Sequence, residues 1–151
     1  MGHRRKAREI ALQVLYQVDV SMVEAEEAIE LFWNNFDVPE NASEFAAALI
    51  RGTRTNIDKI DRFIQSCSEH WSLDRMARVD KNILRMAVYE LLFCEDIPPK
   101  ATLNEAIDLG KEYGSENSGS FINGILDAIY TKLQEDNEDH GIDGIDRRPE
   151  L

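Results

Sequence analysis

Ala7, Ile10, Ala11, Val14, Leu15 and Val18 recur at the i, i+3, i+4, i+7 spacing that lines one face of a helix. Residues 23–36 repeat the pattern with Ala28, Ile29, Phe32 and Trp33. Phe45, Leu49 and Ile50 are the inward candidates of a third helix. Ile57, Ile60, Phe63 and Ile64 carry an apolar face on to about Cys67. From Val79 to Cys94 the pattern widens to include Ile83, Leu84, Met86, Ala87, Val88, Leu91, Leu92 and Phe93. So broad an apolar arc needs neighbours on several sides and predicts a central helix. The last periodic segment holds Phe121, Ile122, Ile125, Leu126, Ile129 and Leu133. Sustained alternation of period two, the mark of a half-buried strand, is nearly absent.

The punctuation between these segments is equally helical. Pro39 breaks the chain, and Asn41 or Ser43 is placed to cap the third helix. Gly52 marks either a break or a close approach by another helix. Pro98-Pro99 ends the central helix, and Thr102-Leu103-Asn104-Glu105 matches a capping box for the next one. That helix is expected to stop at Gly114 in a left-handed conformation, followed by a linker from Ser115 to Gly119. Beyond Gln134 apolar periodicity ends, and residues 135–151 read as a disordered acidic tail that cannot offset its ordering entropy by burial. The expectation is an all-α bundle of six or seven helices over residues 1–134, plus that tail.

Composition narrows the class. A chain of 151 residues fits one domain able to bury roughly 68–70% of its unfolded surface. Cys67 and Cys94 make no disulfide framework, which fits a reducing cytoplasm. The first 20 residues lack the apolar core and small-residue cleavage site of a signal peptide. No apolar run approaches the roughly 20 residues of a membrane span.

Charge adds the sharpest feature. The formal net charge is -12, yet Arg4, Arg5, Lys6 and Arg8 crowd the beginning of the chain. An acidic protein is repelled by nucleic acid except where positive charge gathers locally. Arg5 and Tyr16 fall within roughly 20° of one another around the first helix, with Arg8 and Leu12 flanking that side, away from the apolar stripe. A cationic end followed by an aromatic suits a single strand, because phosphates meet the cations and a base stacks on the ring. The same residues also describe a solvated terminus with Tyr16 half-buried against a neighbour. Four arm cations on a single strand would give a slope of about -2.8 in log affinity against log salt.

Other constellations carry less. Cys67 and His70 form a C-x-x-H pair with no further ligand at a recognisable spacing, so no metal is expected. No nucleophile elbow, metalloprotease, P-loop or dinucleotide-binding pattern occurs, so neither enzyme chemistry nor a cofactor is indicated. The stretch Trp71 to Arg85 reads either as core packing or as a protein-docking surface. Ser118-Gly119-Ser120-Phe121 offers backbone amides at a helix start, a plausible phosphate seat. Phe121 itself reads as core more readily than as a stacking platform.

Three stretches together resemble the NusB family of transcription antitermination factors: RRKAREIALQVLYQVD (Arg4 to Asp19), WSLDRMARVDKNILRMAVYELLFCEDIP (Trp71 to Pro98) and NEAIDLGKEYGSENSGSFINGILD (Asn104 to Asp127). Residues 20–66 match only as helical text, and the tail lies outside the pattern. The resemblance implies an all-helical fold of two packed subdomains. It implies binding to boxA of ribosomal RNA leader transcripts with NusE, a small-subunit ribosomal protein, in an RNA polymerase antitermination complex. It assigns RNA contacts to Arg4, Arg5, Lys6, Arg8, Tyr16 and Phe121, and the NusE-facing surface to Asp80 and Arg85. Ser120 departs from the pattern, since a basic residue often precedes the aromatic in relatives. A similar helical domain precedes the catalytic domain of ribosomal RNA cytosine methyltransferases, but no Rossmann-like βαβ pattern follows here. A structural adaptor that touches no RNA, and a homodimer hiding an apolar face, stand as further readings.

Overall fold

The computed structural model describes residues 2–68 and 70–140. They form seven α-helices: α1 (Gly2–Ser21), α2 (Ala25–Asn35), α3 (Glu40–Thr55), α4 (Ile57–Cys67), α5 (Arg78–Phe93), α6 (Pro99–Tyr113) and α7 (Ser118–His140). A short 3₁₀ turn (Leu73–Arg75) precedes α5, and no strand occurs among the described residues. The all-α expectation holds.

The apolar stripes explain the packing. Ala7, Ile10, Ala11, Val14, Leu15 and Val18 are all buried, and α1 lies against α3, α5 and α2. Helix α5 buries nearly its whole circumference and touches α1, α3, α4, α6 and α7, the central position its wide apolar arc predicts. Arg78 at its start and Phe93 at its end, the latter 42% exposed, are the exceptions. One continuous core runs from Ala7 to Leu133, joining the helices before α4 to those after it.

Several local expectations are corrected. Helix α3 begins after Pro39 rather than at Asn41 or Ser43; of the two readings of Gly52, the break is absent and the close approach holds. A Cβ at Gly52 would collide with the Tyr89 ring, so the glycine is there for close approach of α5. Pro98 caps α6 and Pro99 opens it, where a missing N–H costs nothing. Thr102 therefore lies inside the helix, and no capping box forms. Gly114 follows α6 with φ -95°, not left-handed, and its bare Cα makes room for the Ser118 side chain. Helix α7 continues to His140, past the tail boundary expected at Gln134, although Leu133 is its last buried apolar residue. Glutamate and glutamine are good helix formers and propagate a helix already started. The rest of the expected tail, 141–151, lies outside the described residues.

Candidate nucleic-acid interface

The cations at the start of α1 do not behave alike. Arg8 turns inward, 4% exposed, and its guanidinium donates twice to the Glu90 carboxylate, from Nε and Nη2, each at 2.8 Å. Glu90 also accepts from the Thr102 hydroxyl at 2.9 Å. One carboxylate thereby ties α1, α5 and α6. Burial disfavours the charged guanidinium, but hydrogen bonds and charge from Glu90 outweigh it and raise the Arg8 pKa. The expected exposed side for Arg8 and Leu12 is corrected, since both are buried. In this arrangement Arg8 presents nothing to a phosphate.

Arg4 and Arg5 stay at the surface. Arg5 donates to both Glu105 oxygens at 3.1 and 2.8 Å and to Asp108 at 3.0 Å. These α6 carboxylates hold its pKa well above the ordinary arginine value, hydrogen bonding to Glu105 first among the causes. Arg4 meets Asp96 at 3.2 Å and lies over the Phe45 ring, 5.7 Å from its centroid. Lys6 is exposed and makes no ion pair among the described residues. An open cavity of about 490 Å³ adjoins the arm, lined by His3, Arg4, Arg5, Arg8, Ile97 and Glu105 among others.

Further along α1, Tyr16 is 40% exposed and lines a second groove of about 340 Å³ with Glu9, Leu12, Gln13, Val79 and Tyr113. Glu9, Gln13 and Tyr16 share one ridge of α1, four and three residues apart. Tyr113, at the end of α6, lines the same groove and was not foreseen from sequence. Burial above all, with Glu9 and Glu112 beside it, pushes its hydroxyl up to about 12. Phe121 is half-buried near the start of α7, and its ring meets Trp71 edge-on at 5.9 Å rather than joining Tyr16. Of the amides expected as a phosphate seat, those of Ser118 and Phe121 donate to the Ser115 and Asn117 carbonyls at 3.0 Å each, and Ser118 is buried.

Asp80 and Arg85 are placed otherwise than a docking surface requires. Both are buried. Arg85 donates to the two Asp61 oxygens at 2.8 Å each and lies 3.7 Å from Asp19. Asp19 also meets Lys81 at 3.2 Å and Arg78 at 3.8 Å. Burial alone would raise the Asp19 pKa, yet the Lys81 hydrogen bond and the charges of Lys81 and Arg85 bring it below the ordinary carboxylate value. Asp80 Oδ1 is buried without a hydrogen-bond partner among the described residues. The residues of this stretch that do reach solvent include Trp71 and Arg78.

No cluster of metal-ligating side chains occurs among the described residues, and no described helix is long and apolar enough to cross a membrane.

Comparison with known proteins gives a consistent answer. The model described as the NusB family matches residues 5–131. Transcription antitermination protein NusB of Syntrophus aciditrophicus is 61% identical over 142 residues, covering 94% of this chain and 88% of its own. That of Pelotomaculum thermopropionicum is 51% identical over 132 residues, covering 87% and 92%. Among solved structures, NusB of T. maritima superposes with a TM-score of 0.78 at 42% identity, covering 85% of this chain and 91% of that one. A crystal structure of antitermination factors NusB and NusE in complex with double-stranded RNA superposes with a TM-score of 0.77 at 34% identity, covering 87% and 98%.

Proposed function

The chain belongs to the NusB family, and from that membership we propose that it is a transcription antitermination factor binding boxA of ribosomal RNA leaders together with NusE. It acts by holding RNA and protein side by side and catalyses no reaction. The observation that carries the reading is the outward half of the arm. Lys6, Arg5 and Arg4 stand at the surface of a protein whose formal net charge is -12. The Arg4–Asp96 and Arg5–Asp108 pairs are exposed, weak and screened by salt, while the bidentate contact of Arg5 with the more covered Glu105 is the firmer one, which phosphate must displace. Arg8 serves the interface from beneath by fixing the helix that carries the other three.

Bases stack on Tyr16 along the same helix, and Phe121 with Trp71 forms a separate aromatic contact at the start of α7. For NusE, Asp80 and Arg85 act indirectly by locking α5 to its neighbours, and the exposed Trp71 and Arg78 carry the contact in their place. The site of action is the cytoplasm, where nascent transcripts are made.

A titration of single-stranded boxA RNA at several salt concentrations, with and without NusE, tests the assignment. With Arg8 withdrawn, three cations on a single strand give a slope near -2 in log affinity against log salt, from ~0.7 per phosphate. Replacing Lys6 and Arg5 together by alanine lowers affinity at low salt and flattens that slope. A slope near zero, or unchanged binding in the double variant, removes the arm from the interface. Equal binding of a duplex carrying boxA shows that shape rather than unstacked bases is read.

A further inference from the structure

We propose that the groove between Tyr16 and Tyr113 is a seat for one unpaired guanine base of the bound RNA, with Glu9 as its selecting residue. This rests on the RNA-binding reading above and names the base that the site prefers.

The two tyrosines come from different helices, α1 and α6, and stand 40% and 41% exposed on a shared groove. Leu12 and Val79 add apolar lining. The volume of about 340 Å³ lies at the low end of ligand-sized pockets, which run from ~300 to ~1,000 Å³. Aromatic and apolar lining of this size suits a flat π-system.

Glu9 decides which part of a nucleotide enters. Its negative charge repels phosphate, so the groove takes a base and leaves the backbone to Arg5, one turn earlier on α1. A carboxylate only accepts hydrogen bonds. Guanine presents two adjacent donors, N1–H and the N2 amino group, which match the two carboxylate oxygens. Uracil flanks its single N–H with two carbonyls that the carboxylate repels, while adenine and cytosine set one amino group beside an acceptor nitrogen. Gln13, four residues on and on the same ridge, has an amide N–H₂ able to donate to guanine O6. In this reading the Tyr113 hydroxyl, whose pKa burial, Glu9 and Glu112 raise, donates to Glu9 and leaves lone pairs for the base.

The test uses the full chain, alone and with NusE, and short uridine-rich single strands carrying one guanosine at each position in turn. At one register guanosine binds about tenfold tighter than uridine, as a bidentate contact allows, and inosine, which lacks the N2 amino group, loses most of that gain. Glu9→Gln keeps an acceptor for Tyr113 but abolishes the guanosine preference without changing the salt slope. Tyr113→Ala weakens binding at that register whatever the base. Absence of any discriminating register, or a guanosine preference that survives Glu9→Gln, overturns the seat while RNA binding through the arm stands. A Tyr113→Phe protein that melts earlier with its base preference intact makes the tyrosine a staple between helices and overturns its part in holding Glu9. If no strand binds wild-type protein, the RNA reading falls first and the seat with it.

Discussion

Arg8 shows how far a residue's neighbours in sequence can mislead. Its cationic run, Arg4, Arg5, Lys6 and Arg8, reads as one patch, but the helix turns Arg8 onto Glu90 and away from solvent. The signal that separates it lies elsewhere in the chain. Glu90 interrupts the most apolar stretch of the sequence, and an acid there needs a buried cation. Replacing Arg8 with alanine leaves Glu90 charged and uncompensated, so urea denaturation should report a loss of about 3–5 kcal/mol. The same substitution at Lys6 should leave the denaturation midpoint unmoved, because Lys6 touches no partner among the described residues. Of the candidate site, Tyr16 was legible because helical geometry alone sets its face. Tyr113 was not, since its sharing a groove with Tyr16 depends on where the tertiary fold brings the end of α6, almost a hundred residues further along the sequence.

Among the elements, the existence of each helix followed from apolar periodicity, whereas the ends were decided by interactions that periodicity does not encode. Thr102 looks like a cap because it precedes Glu105 by three residues, but its hydroxyl is taken by Glu90 and Glu105 is taken by Arg5. Pro99, tolerated at a first helical turn, then sets the true start. Gly52 poses the same question within α3: weak propensity suggests a break, and packing overrules it. The Tyr89 ring occupies the space a Cβ would need. Gly52→Ala should therefore destabilise, overpacking costing ~1–3 kcal/mol against ~1 kcal/mol gained in helix propensity. A lowered midpoint in chemical denaturation checks it, and a raised one means Tyr89 has room to move.

At the scale of the molecule, acidic helices surround a few positions where cation and carboxylate meet under cover, and these set the response to acid. Asp19 gathers Lys81, Arg85 and Arg78 at the end of α1, and its pKa lies below the ordinary 3.8. Its contribution to stability is complete above 3.8 and is lost as pH falls through the lower folded-state value. Thermal melts across acid pH should show that loss in the wild type and a shallower one in Asp19→Asn. The cationic arm and the covered cluster at Asp19 are both built on α1, which is synthesised before the helices that complete them. Yet the anion that neutralises Arg8 lies 82 positions downstream, and the hydroxyl completing that contact belongs to Thr102. A nascent chain stalled before α5 holds a cation facing an interior that does not yet exist. Synthesis must run past Thr102 before α1 can settle, so a helix made ahead of its partners is finished only after them.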